Sequence, residues 1–158
     1  MTVRSGARLG VDVGRVRIGV ARCDPSAILA VPVETVARSA QGEDGDVRRI
    51  LELAHEYEAI ELVVGNPLSL SGQSTASTAD AVAFAGRLAA AGAQVRLVDE
   101  RMSTVSAQQA LRSAGKSARK QRPIIDQAAA VIILQHAIDA ERASGTAPGR
   151  TILPDEGL

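Results

Sequence analysis

The stretch Leu9-Gly10-Val11-Asp12-Val13-Gly14-Arg15-Val16-Arg17-Ile18-Gly19-Val20-Ala21 decides the fold. Leu9, Val11 and Val13 alternate with Gly10 and Asp12. Beyond Gly14, Val16, Ile18 and Val20 alternate with Arg17 and Gly19. Period-two alternation on both sides of a turn glycine predicts a strand, a tight turn and an antiparallel strand. Asp12 then stands at the end of a central strand, where a carboxylate needs compensation and a metal ion is one good compensator. The plainer reading is that Asp12 caps the turn by accepting backbone amides.

Working outward, Asp24-Pro25-Ser26 marks a turn, and Leu29 to Val36 reads as a third strand whose Pro32 points to a sheet edge. A helix follows Gln41–Gly45, with Val47, Ile50, Leu51 and Ala54 on one face. Glu61 to Gly65 is a short apolar run of the buried-strand type. Ala76 to Ala91 is an alanine-rich helix ending at Gly92, Gln94 to Val98 is a strand, and a helix is expected over 104–113. Pro123 suits the first position of a last helix running to Arg142, and residues 143–158 are expected to be irregular. The order, an opening meander followed by alternating helices and strands, predicts an α/β domain over 1–142 with a mixed sheet covered by helices.

Composition narrows the function. Eighteen Lys and Arg balance eighteen Asp and Glu, so net charge lends no support to nucleic-acid binding. The distribution is less even: Arg112, Lys116, Arg119, Lys120 and Arg122 fall within eleven residues that contain no acid, and Arg4, Arg8, Arg15, Arg17 and Arg22 surround the opening strands. The alternative for the basic segment is a solvated loop. With one Phe, one Tyr and no Trp, base stacking is a poor mode of binding, so a nucleic acid would be gripped by backbone and shape. The single cysteine, Cys23, excludes a disulfide framework; it could join two copies if exposed, and otherwise is a plain strand residue. No apolar run reaches membrane-spanning length and the first residues lack an apolar signal region, so a cytoplasmic protein without membrane contact is expected.

Three acidic positions stand out. Asp12 ends the first strand, Asp99-Glu100 ends the last, and Asp126 lies just after the basic segment. Ligands of open α/β sheets collect at the carboxyl ends of strands. Carboxylates converging there repel one another without a cation, and oxygen-only donors favour Mg²⁺ or Mn²⁺. Two such ions about 4 Å apart can activate water and stabilise the leaving oxygen of a phosphodiester. The alternatives are a favourable helix N-terminal charge for Asp126 and an exposed pair with Arg101 for Glu100.

Val11-Asp12-Val13-Gly14 with Arg17-Ile18-Gly19-Val20-Ala21, Val64-Gly65-Asn66-Pro67-Leu68 with Ser71-Gly72, Asp99-Glu100-Arg101-Met102-Ser103-Thr104 and Ile125-Asp126-Gln127-Ala128-Ala129-Ala130 together resemble the YqgF (RuvX) family. This branch of the ribonuclease H-like nucleases is described as a pre-16S ribosomal RNA nuclease and as similar to Holliday-junction resolvases. The resemblance implies a ribonuclease H-like fold with a five-stranded mixed sheet in the order 3-2-1-4-5. It implies metal-binding catalytic carboxylates at Asp12, Glu100 and Asp126. Asn66 departs from the hydrophobic residue expected before Pro67. In that sheet Asp12 and Glu100 sit on strands separated by one neighbour, about 10 Å apart at the backbone, a gap bridged by a metal pair rather than by direct contact. Asp12 would bridge the metals, Glu100 would hold a metal or orient the attacking water, and Asp126 would close the site, with Asp99 behind them. Lys116, Arg119, Lys120 and Arg122, together with Arg17, would hold phosphates. Ser69, Ser71, Gln73 and Ser74 could bond the nucleic-acid backbone or be simply a loop.

The expected substrate is structured nucleic acid, either precursor ribosomal RNA or branched DNA, with a homodimer expected if a four-way junction is resolved symmetrically. Two rival readings are an actin-like nucleotide-binding protein, which needs a second related domain that 158 residues do not hold, and a non-catalytic ribosome- or nucleic-acid-binding module.

Overall fold

A computed structural model describes residues 3–67, 75–99 and 118–157, with side chains described outside 118–124 and 157. Strand β1 (Ala7–Val13) turns into β2 (Arg17–Cys23) and β3 (Ala30–Ala37). Helix α1 (Gly45–Glu56), strand β4 (Ala59–Asn66), helix α2 (Ala76–Ala90) and strand β5 (Val95–Asp99) follow. A long helix α3 (Ala118–Ser144), a two-residue strand β6 (Arg150–Thr151) and a 3₁₀ turn (Pro154–Gly157) complete the described chain. The sheet order is β3-β2-β1-β4-β5-β6. The meander β1–β2–β3 is antiparallel, β1, β4 and β5 are parallel, and β6 returns antiparallel to β5. The expected order 3-2-1-4-5 therefore holds, with a sixth strand added.

The period-two alternation assigns each strand residue to a layer. Leu9, Val11, Ile18, Val20, Leu62, Val64, Val95 and Leu97 pack with Ile50 and Leu53 of α1 and with Phe84 and Leu88 of α2. On the other face Ala21, Cys23 and Val63 meet Ala130, Ile133, Leu134, Ala137 and Ile138 of α3. Two glycines set how closely α3 approaches. A Cβ at Gly10 would lie 2.7 Å from the Ala130 carbonyl oxygen and 2.7 Å from Leu134 Cβ, and one at Gly19 would run into the Asp126 carbonyl. At these two positions the helix rests on strand backbone rather than on a side chain.

Pro32 falls on the edge strand, as its missing N–H requires, and the β2–β3 register shifts beside it, between Val20 and Ala21. Three expectations are corrected. The last helix starts at Ala118, so Pro123 lies inside it, because Ala118, Arg119, Lys120, Gln121 and Arg122 are all good helix formers. Asp126 consequently lies in the third turn, away from the helix end. Within 143–157, expected to be irregular, the chain forms the two-residue strand β6 and a 3₁₀ turn. Arg96 of β5 donates from Nε to the Pro148 carbonyl at 2.6 Å and from Nη1 to Thr151 Oγ1 at 3.2 Å, and Ile152 N donates to Val95 O at 2.9 Å. The helix expected over 104–113 lies outside the described residues.

Arg4 and Arg8, two of the arginines around the opening strands, join a network at the amino end of the parallel strands. Arg8 is 1% exposed, Glu141 2% and Glu61 6%. Arg8 Nη2 donates to Glu141 Oε2 at 3.1 Å, and Arg4 Nη2 donates to Glu61 Oε1 at 2.6 Å and Glu141 Oε1 at 2.8 Å. Burial pushes the Glu141 carboxyl up, but the hydrogen bonds and charges of Arg4 and Arg8 outweigh it and hold the pKa below the usual range. Cys23 is buried beside this network, and burial pushes its thiol pKa up, so it is a strand residue rather than an exposed link between copies. Among the described residues no helix is long and apolar enough to cross a membrane.

Candidate nuclease site

The site builds from the turn. Gly14 N donates to Arg17 O at 2.9 Å, and a Cβ at Gly14 would lie 2.6 Å from that oxygen, so only glycine lets the turn close. Arg38, which sequence reasoning passed over, braces the turn. Its Nη1 donates to the Gly14 carbonyl at 2.8 Å and to Asp80 Oδ2 of α2 at 2.9 Å, and its guanidinium lies 5.2 Å from the centre of the Phe84 ring.

In the β1–β2 ladder Asp12 is the direct partner of Gly19. Asp12 is two residues from Gly10, so its side chain leaves the sheet on the α3 side. On the same side Gly19 receives the backbone of α3 at Asp126. Asp12 and Asp126 are thereby brought to one face at the carboxyl end of the central strand, and both are half-buried. Arg17, two residues before Gly19, shares that face: its Nε donates to Asp126 Oδ2 at 2.9 Å, with side-chain exposures of 31% and 19%. Arg17, expected to contact nucleic acid, is therefore paired with a candidate metal ligand. Gln127, the next residue of α3, donates from Nε2 to Thr35 Oγ1 of β3 at 2.8 Å and fixes this turn of the helix against the sheet edge.

Asp99 ends β5 in register with Asn66 at the end of β4, and it is exposed. The Asn66 carboxamide oxygen is buried with no hydrogen-bond partner among the described residues. Here the residue that departs from the expected hydrophobic type leaves a spare acceptor beside the site. A cleft of about 360 Å³ between β5 and α3 is lined by Val98, Asp99, Ile133, His136, Pro148 and Gly149.

Arg119, Lys120 and Arg122 lie in the first two turns of α3, about 6–10 Å along its axis from Asp126. Glu100, Lys116 and the hydroxyl-rich segment 68–74 lie outside the described residues. Among the described residues no three His, Cys, Asp or Glu side chains gather closely enough to hold a metal ion. The donor chemistry of the two acids that do converge suits a hard cation, and the guanidinium at Asp126 shows that this position accepts positive charge.

A mixed sheet in this order, with a long helix laid across its central strands, is the ribonuclease H-like fold. Two solved structures share it: the Thermus thermophilus RuvC structure (TM-score 0.52, 22% identity, 90% of this chain and 98% of that one) and T. thermophilus RuvC in complex with Holliday junction substrate (TM-score 0.50, 23% identity, 86% and 95%). Within that class the family model described as "RuvX: Holliday junction resolvase" matches residues 6–140, and the chain belongs to this family. A protein of Clavibacter sepedonicus named "Putative pre-16S rRNA nuclease" is 62% identical over 151 residues, covering 95% of this chain and 93% of its own length. One of the same name from Leifsonia xyli subsp. xyli is 60% identical over 156 residues, covering 98% and 99%.

Proposed function

We propose that this chain is a metal-dependent endonuclease acting on structured nucleic acid in the cytoplasm, with its nuclease domain over 1–142. Its relatives' names direct the reading to pre-16S rRNA, with processing at the 5′ end as the proposed step, and the family description directs it to Holliday-junction resolution. The observation that carries it is the convergence of Asp12 and Asp126 on one sheet face across the Gly19 backbone.

In this reading Asp12, Glu100 and Asp126 hold Mg²⁺ or Mn²⁺ as a two-metal site. When bound, such ions activate a water and stabilise the leaving oxygen of the phosphodiester. The chain's own contribution is position. Asp12 sits on β1, which is hydrogen-bonded to a neighbouring strand on each side. The glycine contacts and the Gln127–Thr35 bond set the height and rotation of α3, and so of Asp126. Lys116, Arg119, Lys120 and Arg122 neutralise backbone phosphates without reading bases.

The test is cleavage of a labelled pre-16S RNA and a four-way DNA junction side by side with Mg²⁺ or Mn²⁺. Metal-dependent cleavage of either supports the reading. Tight binding of both with no turnover replaces it with a non-catalytic binding module. Symmetric junction cleavage requires two copies, whereas RNA processing proceeds with one.

A further inference from the structure

We propose that Arg17 is a cation shared between the metal site and the substrate: it neutralises Asp126 in the metal-free protein, is expelled by the metal, and then holds a phosphate of the bound strand. The proposal rests on the nuclease reading above and adds an order of events to it.

Three features of the pair support it. The contact is made by one guanidinium nitrogen, Nε, to the carboxylate oxygen Asp126 Oδ2, an oxygen that a metal ligand must present. Both side chains are partly exposed, so the pair opens without unpacking the core. The Arg17 backbone is held on both sides: Gly14 N donates to Arg17 O at 2.9 Å, and Arg38 N donates to Val16 O at 2.9 Å. A release from Asp126 is thus a rotamer change of one side chain on a rigid strand.

The chemistry gives the direction. The guanidinium leaves Asp126 when a stronger positive charge takes the carboxylate. Once free beside a loaded site, its planar donors match one abundant oxyanion of a nucleic acid, the phosphodiester. Metal binding and strand binding then favour each other through Arg17, and linkage makes that coupling reciprocal. The buried Arg8–Glu141 pair at the opposite end of the sheet is a useful contrast: at 1% and 2% exposure it has no such freedom.

The test uses the full chain and Mn²⁺ alone as first probe. By titration calorimetry, Arg17→Gln should bind Mn²⁺ roughly two- to fivefold more tightly than wild type, the gain expected from removing a partly exposed competing ion pair. Arg17→Lys, which keeps the charge, should fall between, and circular dichroism confirms that each variant is folded. In an Asp126→Asn background the Arg17→Gln gain should vanish. The second probe is a labelled four-way DNA junction, held uncleaved with Ca²⁺. Arg17→Gln should lower the log–log salt slope of binding by about one in Ca²⁺ and leave it unchanged in chelator. Equal or weaker Mn²⁺ binding by Arg17→Gln, or the same loss of slope with and without Ca²⁺, overturns the shared-cation role and leaves the nuclease reading standing. Absence of Mn²⁺ binding by the wild type overturns the nuclease reading, and the shared cation with it.

Discussion

The two ends of the sheet handle charge in opposite ways. At the amino end of the parallel strands, Arg4 and Arg8 meet Glu61 and Glu141, two cations against two anions, with three of the four side chains almost fully buried. At the carboxyl end, Asp12 and Asp126 are half-buried and Arg17 reaches Asp126 through a single nitrogen. A matched network with three buried members costs much desolvation and is strongly destabilised when one of them is removed. A half-open acidic end keeps its solvation and can exchange one cation for another. One end ties the N-terminal strand and α3 together; the other is available for chemistry.

Asp12→Asn should produce the largest effect on this contrast. Cleavage should fall to background, while the melting temperature without metal stays within about 4 °C of wild type. The substitution removes a charged ligand at constant size. Mg²⁺ should raise the melting temperature of the wild type and raise that of the variant less, since only ligand bound to the native state stabilises it. Full cleavage by the variant would remove Asp12 from the mechanism. Lost cleavage together with lost folding would make it a turn cap.

Glu141→Gln should do the reverse. It leaves Arg8 in a site with 1% exposure and without its full counter-charge, a loss of about 3–5 kcal/mol in urea unfolding at neutral pH. The folded fraction should still cleave, because nothing at the carboxyl end has changed. A neutral result would mean that water or backbone groups satisfy Arg8 as well as the carboxylate does.

Gly19→Ala joins the two kinds of effect. The added methyl runs into the Asp126 carbonyl, so α3 must lift from β2. Overpacking of this kind costs about 1–3 kcal/mol. Because the same shift moves Asp126, the thermal response to Mn²⁺ should shrink along with stability. A loss of stability with an unchanged metal response would separate the packing of α3 from the site.

Much of the carboxyl end was legible in the sequence because its signals are local. The alternation of Leu9, Val11 and Val13 around Asp12, and of Arg17 and Gly19 around Ile18, sets the face on which each residue lies, while the strand order came from the family resemblance. The amino end was not legible. Arg8 and Glu141 are 133 positions apart, and an arginine in an alternating strand carries the same pattern whether it meets solvent or a buried glutamate. Arg17 was legible only in part: its charge showed in the sequence, and its partner 109 positions away did not. Gly10 and Gly19 read as small strand residues; only the helix laid over them reveals that their lack of a Cβ sets its distance. Strand β6 is two residues long, too short for any periodicity, and depends on the grip of Arg96.

The smallest predicted effect is a dependence on pH that belongs to one end alone. The Glu141 carboxyl has its pKa depressed below the ordinary 4.5, because the Arg4 and Arg8 contacts outweigh the burial that pushes it up. A depressed carboxylate pKa contributes stability that is fully present above the unfolded value and is lost as the pH falls through the folded value. Wild type should therefore lose this contribution below about pH 4.5, whereas Glu141→Gln has no such proton to take up. Asp24, Glu34 and Glu156 also have lowered pKa values, but they are present in both proteins and cancel in the difference. In urea titrations across the acid range, the stability gap between wild type and Glu141→Gln should stay constant from neutral pH to about 5 and narrow below that, as protonated Glu141 comes to resemble glutamine. A gap that holds constant down to the acid transition would mean that the shape of the Glu141 side chain, rather than its charge, secures the amino end.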